Sequence, residues 1–436
     1  MQMELPNITR REFLKRSAAS GGAVAASGLV PPRIVGANDR ISFGVIGLGN
    51  MGTGHLKSLV KRSQADNIQC LAVCDVFQKR ITRAKGVLQG GDGYLDYRQL
   101  LDRKDIDAVL IATPDHWHAK ISVDAMEAGK HVYVEKPMTL WSRLDEALAV
   151  RNTARRLKRV LQVGPQATSD PGVHQAQDAI RAGRIGKVTW AQGGYNRNSR
   201  ISDFDAPPFV IDAQAGPTAT GDNFIDWDMW LGWKFGLAPK IAFDPWHFFR
   251  FRKFWAYSGG VATDLLYHKL APLLLAIAGP DGEYPLRVTA CGGRYVENNR
   301  EDGGDIPDTY LTTLDFPSGY SIFLESTVTN DTPLPDRIYG KHGTIQDFQS
   351  DTRLVANGAF QPEFESSNDG YAEVKFSPEK GRDMEGNFID VIRGMGKLFC
   401  NAELGATTMV GIGLGVRAFR ENRTIQWDVQ KETEAR

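Results

Sequence analysis

The chain has 436 residues, 52 basic against 52 acidic side chains, 42% apolar residues and 4 cysteines. That length calls for two or three domains, each with enough apolar side chains for a full core. Zero net charge excludes a polyanion such as nucleic acid as the expected partner, and no run of roughly 18 apolar residues marks a membrane span or anchor.

Taken in order, residues 1–37 are expected to be a signal rather than part of the fold. Thr9-Arg10-Arg11-Glu12-Phe13-Leu14-Lys15 matches the twin-arginine export signal. A weakly apolar, Ala/Gly-rich stretch follows over 17–30, and Val35-Gly36-Ala37 is a small-residue processing site. The expectation is a mature chain starting near Asn38, exported to the periplasm already folded by the twin-arginine machinery. Folding before export asks for a fold independent of disulfides. Cys70 and Cys74, about 13 Å apart in a strand, are too far apart to pair and read as small core residues.

Over 38–166 strand and helix patterns alternate. The apolar run Ile41-Ser42-Phe43-Gly44-Val45-Ile46 enters Gly47-Leu48-Gly49-Asn50-Met51-Gly52, a G-x-G-x-x-G turn that opens a helix. The first glycine allows a tight turn, the second lets the backbone approach a pyrophosphate, and the third lets helix and strand pack closely. A second strand, 68–74, ends at Asp75, placed to bind a ribose. A helix at 77–88, a short one at 97–101, a strand at 107–113 bounded by Pro114, and a helix at 119–128 closed by Gly129 follow. The strand 131–137, the helix 142–157 and the strand 159–164 complete the series. Apolar strands separated by helices predict a parallel α/β sheet covered on both faces: a Rossmann-type domain whose NAD or NADP lies beyond the strand carboxyl ends. Asp75 favours NAD, because a carboxylate pairs with ribose hydroxyls and repels a 2′-phosphate, while Lys79 and Arg80 nearby keep NADP open.

Over 167–436 the texture changes. A helix at 173–181 and a strand at 187–195 precede a long aromatic, Pro- and Gly-rich stretch at 196–257. An apolar helix is expected at 261–278, β segments at 287–290, 309–316, 320–328, 337–339 and 344–348, and helices at 385–395 and 403–421. This pattern predicts an α+β domain on a large, mostly antiparallel sheet, for substrate binding and homo-oligomerisation.

Two constellations carry chemistry. Lys136, in Glu135-Lys136-Pro137, ends a strand where a parallel sheet presents side chains to its ligand, and Pro137 restricts it to an extended backbone. A surface lysine ending a buried strand is the alternative. Asp264 and His268 stand four residues apart on an apolar helix, the spacing by which a carboxylate orients an imidazole general base, or merely stabilises a helix. Gly259-Gly260 just before them implies a close approach.

With the Gly47–Gly52 turn, Asp75 and Ala112-Thr113-Pro114, these elements stand in the order of the glucose–fructose oxidoreductase/inositol dehydrogenase (Gfo/Idh/MocA) family, which the chain resembles over most of its mature length. The resemblance implies a Rossmann domain joined to an open-faced sheet domain with NAD(P) between them. It also implies Lys136, Asp264 and His268 as the catalytic group. His268 would take a hydroxyl proton from a sugar or polyol, Lys136 would stabilise the alkoxide, and Asp264 would hold the imidazole. Ala271 departs from the family pattern, which often has an acid three residues after the histidine.

The cofactor site is expected to use Gly47, Gly49, Asn50, Met51, Gly52, Asp75, Thr113, Pro114, His118, Glu135 and Lys136. His116-x-His118 lies in the loop after a strand and reads as cofactor-edge packing, since no cysteine or acid cluster completes a metal site. Tyr195, Asn196 and Arg197 suit a polyhydroxylated substrate, as do Trp246 and Tyr257 in an aromatic and cationic stretch that equally fits a subunit interface. Three functions remain open: net or redox-neutral sugar oxidoreduction, a glycosidase that oxidises its sugar transiently, and a non-catalytic cofactor-binding sensor. Outside the cytoplasm, where free nucleotide is scarce, the cofactor is expected to stay bound.

Overall fold

The computed structural model describes residues 7–8, 40–198, 210–296, 304–349, 351–377 and 381–435. The twin-arginine motif and its processing site lie outside the described residues.

After a two-residue strand β1 (Asn7–Ile8), the first domain follows as β2 (Ile41–Ile46), α1 (Asn50–Lys61), β3 (Ile68–Cys74), α2 (Gln78–Leu88), β4 (Asp92–Tyr94) and α3 (Tyr97–Leu101). It continues through β5 (Ala108–Ile111), α4 (Asp115–Glu127), β6 (His131–Val134), α5 (Leu144–Leu157) and β7 (Leu161–Val163). The sheet order is β4-β3-β2-β5-β6-β7, every pair parallel. Every residue of β2 and β5 is buried, which is why these strands read as continuous apolar runs rather than alternations. The connection reverses direction between β2 and β5, and ligands of open α/β sheets bind at that switch point. One expectation is corrected here. The helix set at 119–128 begins at Asp115, so His116, Trp117 and His118 occupy its first turn instead of a loop. Pro114, in extended conformation, is its N-cap.

The second domain contains α6 (Pro171–Arg181), β8 (Val188–Asn196), short helices α7 (Trp227–Leu231) and α8 (Pro245–Phe249), and α9 (Tyr267–Ala278). Strands β9 (Arg287–Gly293), β10 (Thr309–Phe316), β11 (Tyr320–Thr327), β12 (Arg337–Gly340), β13 (Gly343–Gln346) and β14 (Arg353–Ala356) come next. Then come α10 (Gln361–Ser366), β15 (Glu373–Phe376), α11 (Met384–Ile392), α12 (Ala402–Glu421), β16 (Ile425–Asp428) and β17 (Thr433–Glu434). The large sheet runs β1-β15-β14-β13-β12-β8-β11-β10-β9-β16-β17. All its pairs are antiparallel except β8 with β11 and β1 with β15. In β10 and β11 buried and half-buried residues alternate strictly, so one face packs on helices and the other stays open.

The expected helix at 261–278 is two pieces: a π turn, Val261–Leu265, and α9, which contains Pro272. By length and composition Val261–Ala278 could cross a membrane, but most of it is buried within the protein. All four cysteines carry free thiols.

A single apolar core joins the two domains. Helix α12 is its centre, buried along most of its length. The Tyr267 hydroxyl donates to the Gly405 carbonyl at 2.8 Å, and Val163 N–H donates to the Cys400 carbonyl at 3.0 Å. A second, aromatic cluster contains Phe77, Trp227, Trp230, Phe248, Phe249, Phe254 and Tyr257. The C-terminal elements thus return to close the Rossmann domain. A Cβ at Gly413 would collide with the Leu144 side chain and stand 2.8 Å from the Trp141 carbonyl oxygen. Gly413→Val is expected to cost about 1–3 kcal/mol and lower the melting temperature by several degrees, measured by calorimetry.

Candidate active site

The glycine turn occupies the switch point. Gly47 has φ +88°, a left-handed conformation that a side chain would strain. A Cβ on Gly52 would collide with the Gly47 carbonyl oxygen, whereas one on Gly49 would meet nothing within 4 Å. Two glycines therefore serve packing, and the middle one faces open space. No side chain caps the first turn of α1, leaving its N–H groups for an anion. Asp75 ties the turn to the end of β3: its two carboxylate oxygens accept from Leu48 N–H at 2.6 Å and Phe77 N–H at 2.9 Å. A carboxylate has about four lone-pair positions, so ribose hydroxyls can still be accepted.

The turn borders a cavity of about 560 Å³ between the domains, within the range of ligand sites. Gly47, Gly49, Asn50, Met51, Asp75, Thr113, Pro114 and Lys136 line it, as do Asp264, His268, Tyr195 and Arg197. The Thr113 hydroxyl oxygen has no hydrogen-bond partner among the described residues. An open glycine cradle, an uncapped helix start and an unpartnered hydroxyl together fit a dinucleotide.

Other expected residues sit around the cavity without lining it. Gly52 packs beneath the turn. His118 is buried, its ring nitrogens facing the carbonyls of Pro137 (2.6 Å) and Thr113 (2.8 Å), so it stitches together the loops after β5 and β6. Glu135 turns away to His55, 2.8 Å distant. Asn196 donates to Glu325 and to the Thr332 carbonyl. Trp246 stacks on Arg250, and Tyr257 is core, 2.9 Å from His247. The aromatic stretch is divided accordingly: Phe248, Phe249 and Phe251 wall the cavity from the second cluster, to which Phe254 and Tyr257 also belong, while Trp255 joins the main core against Trp141. What approaches Gly260 is protein, since a Cβ there would strike Ile306.

In the cavity the two elements expected to carry chemistry meet. Lys136 Nζ donates to Asp264 Oδ1 at 2.8 Å and to the Asp264 carbonyl at 3.0 Å. Arg252 Nε donates to the same Oδ1 at 3.1 Å. Burial pushes the Asp264 carboxyl up, but Arg252 and Lys136 outweigh it and hold the group far below the usual carboxylate range. The expected support of His268 by Asp264 is corrected: no hydrogen bond joins them among the described residues. The π turn and the kink at Leu266 break the i, i+4 register. The imidazole instead lies edge-on to Tyr195, with ring centroids 5.8 Å apart. Burial, reinforced by the Lys136 charge, lowers its pKa to about 3, so the ring is neutral at physiological pH.

Two residues of this region carry no sequence signal. Arg252 reaches Asp264 from a single 3-10 turn, Phe251–Lys253. Asp115, at the start of α4, is buried with Oδ2 unpartnered, and burial raises its carboxyl to about 7 against the pull of Arg252.

The fold and cavity define a two-domain protein built to hold a dinucleotide against a second ligand. Residues 41–165 match the Gfo/Idh/MocA profile, described as an oxidoreductase family with a NAD-binding Rossmann fold. That segment is therefore similar to the family's NAD-binding Rossmann domain. It is 30% identical over 222 residues to a glycosyl hydrolase family 109 protein of Shewanella baltica, covering 43% of this chain and 46% of that protein. It is 28% identical over 174 residues to an inositol 2-dehydrogenase of Salmonella paratyphi B, covering 39% and 51%. The chain thus spans about half the length of these relatives. Among solved structures, an aldose–aldose oxidoreductase of Caulobacter crescentus shares the fold with TM-score 0.64 and 17% identity, covering 89% of this chain and 99% of that one.

Two outcomes follow. Gly49→Ala is expected to melt like the wild type without nucleotide, yet bind NADH at least about tenfold more weakly, by fluorescence titration. For Asp115 the folded state favours the protonated form. That contribution is present below the unfolded value near 4 and is lost as pH rises through about 7. Asp115→Asn should raise the melting temperature by a few degrees near pH 8, with a smaller gain near pH 5, in scanning calorimetry.

Proposed function

We propose that this chain is an exported oxidoreductase. It transfers a hydride between a tightly held NAD(P) and a hydroxyl or carbonyl carbon of a sugar, polyol or glycoside. The observation that carries this reading is the neutral His268 beside the Lys136–Asp264 pair, at one end of a cavity whose other end is the glycine turn. When bound, the nicotinamide supplies a two-electron acceptor and donor.

The chain's own groups do the rest. His268 takes the proton of a substrate hydroxyl, and Lys136 stabilises the negative charge developing on that oxygen. Asp264, ionised, holds the Lys136 ammonium together with Arg252. Tyr195 and Arg197, joined by a 2.9 Å hydrogen bond, place polar groups beside His268 for neighbouring hydroxyls. The twin-arginine motif supports export with the cofactor loaded, each turnover regenerating it in place, and the open sheet face supports assembly of copies.

The glycosyl hydrolase relative favours a second reading, in which the sugar is oxidised, the aglycone eliminated and the product re-reduced. Purified chain is tested with D-glucose, myo-inositol and p-nitrophenyl glycosides without added nucleotide. Paired oxidation and reduction supports exchange, nitrophenol release supports cleavage, and neither leaves a binding protein. Mass spectrometry of nucleotide released on denaturation is expected to find NAD. Lys136→Ala and His268→Ala should retain that nucleotide and lose at least about a hundredfold in turnover. Near-normal turnover in either removes that residue from the mechanism.

A further inference from the structure

Beneath the cofactor turn lies a group of charges that the reaction does not use directly. His55, on α1, is buried between two carboxylates from distant parts of the chain. Its Nε2 is 2.8 Å from Glu135 Oε1, and its Nδ1 is 2.6 Å from Glu385 Oε1 on α11. Ionised carboxylates only accept hydrogen bonds, so both ring nitrogens must carry hydrogen. The ring between them is an imidazolium.

The two carboxylates support that charge and are themselves held by further groups. Glu385 also receives the Ser58 hydroxyl, and Arg62 lies 3.3 Å from it. Arg62 in turn pairs with Asp383. Tyr133, on β6, sets its ring edge against His55, centroids 5.3 Å apart. Gln166, which lines the cavity, donates to Glu135 at 3.4 Å. A Cβ at Gly164 would stand 2.9 Å from Glu135 Oε1, so glycine there leaves room for the carboxylate. Signs alternate along Asp383, Arg62, Glu385, His55 and Glu135, and Glu135 is followed directly by Lys136.

We propose that His55 is a positioning residue. As an imidazolium it clamps Glu135 to α11 and so fixes the strand end from which Lys136 reaches Asp264. Neutralising the ring leaves a lone pair facing one carboxylate and opens the clamp. Its ionisation supports this. Burial opposes the charge, but the hydrogen bonds and charges of Glu135 and Glu385 raise its pKa to about 9. The folded value lies above the ordinary one, so the clamp's contribution is full below about pH 6.5 and lost as pH rises through about 9. The catalytic consequence rests on the proposed oxidoreductase reading; the clamp itself does not.

Carbon-13 histidine NMR of the full chain, with assignment by His55→Gln, should find the ring protonated at neutrality with a midpoint of about 9. A midpoint at or below neutrality overturns the clamp. Reduction of the bound nucleotide by D-glucose or myo-inositol, followed by nicotinamide absorbance, reads the positioning role. His55→Gln should lower the rate constant about tenfold to a hundredfold, with the KM for sugar and the retained nucleotide unchanged. In Glu385→Gln, which serves also if His55→Gln fails to fold, the amide can donate to an unprotonated ring, so the wild-type loss of rate near pH 9 should disappear. Wild-type rate constants and alkaline profiles in these variants, with Lys136→Ala inactive, overturn the positioning role alone. A fully active Lys136→Ala removes Lys136 from the mechanism and with it the positioning role, whereas no reduction of the bound nucleotide by the wild-type chain overturns the oxidoreductase reading; in both cases the NMR midpoint still decides the clamp.

Discussion

A buried lysine on one domain meets a buried aspartate on the other, and much of the architecture serves to keep them together. Taking two charges out of water costs several kcal/mol each, and the attraction repays this only when geometry and further hydrogen bonds are good. Here Lys136 bonds both the carboxylate and the carbonyl of Asp264, and Arg252 shares the same oxygen. The π turn at Val261–Leu265 presents Asp264 to this contact, an irregularity typical of functional sites. The Lys136 backbone is set by the end of β6, and α12 packs against both sides of the crevice.

The pair also organises the protonation states around it. His268 lies close enough to Lys136 for the positive charge to add to burial in keeping the imidazole neutral. Asp115 senses the same groups with the opposite result: repulsion by Asp264 adds to burial and keeps a proton on its carboxyl at neutral pH more readily than on an ordinary aspartate. Burial, modulated by this ion pair and Arg252, thus leaves a neutral base, a fixed anion and a half-protonated acid within one region. Separated acid and base assignments of this kind are what proton-transfer sites require.

The Rossmann sheet was legible because its strands are buried on both faces and its glycine turn follows a strand and opens a helix. That Lys136, Asp264 and His268 meet at one cavity was legible from local spacing and the family resemblance, but their mutual geometry was not. An i, i+4 relation assumes an unbroken α-helix, and the π turn breaks it. Arg252 was hidden because it reaches the site from a single 3-10 turn, too short for its period to carry information. His55 and Glu385 stand 330 residues apart in sequence, and neither has a motif that names the other. Trp246 and Tyr257 resemble sugar-stacking residues by type, yet tertiary packing claims them for the aromatic core. The strands β4 and β17, of 3 and 2 residues, fall below the length at which alternation becomes readable.

The return of α12 to the Rossmann domain sets a constraint on biosynthesis. A ribosome releases the dinucleotide-binding half long before residues 402–421 exist, leaving the surfaces of α5 and β7 that this helix covers exposed to solvent. The first half can form its parallel sheet early, but its final packing waits for almost the last part of the chain. The completed interdomain crevice is therefore a late product of synthesis, and a chain cut short near its end would expose apolar surface in its first domain.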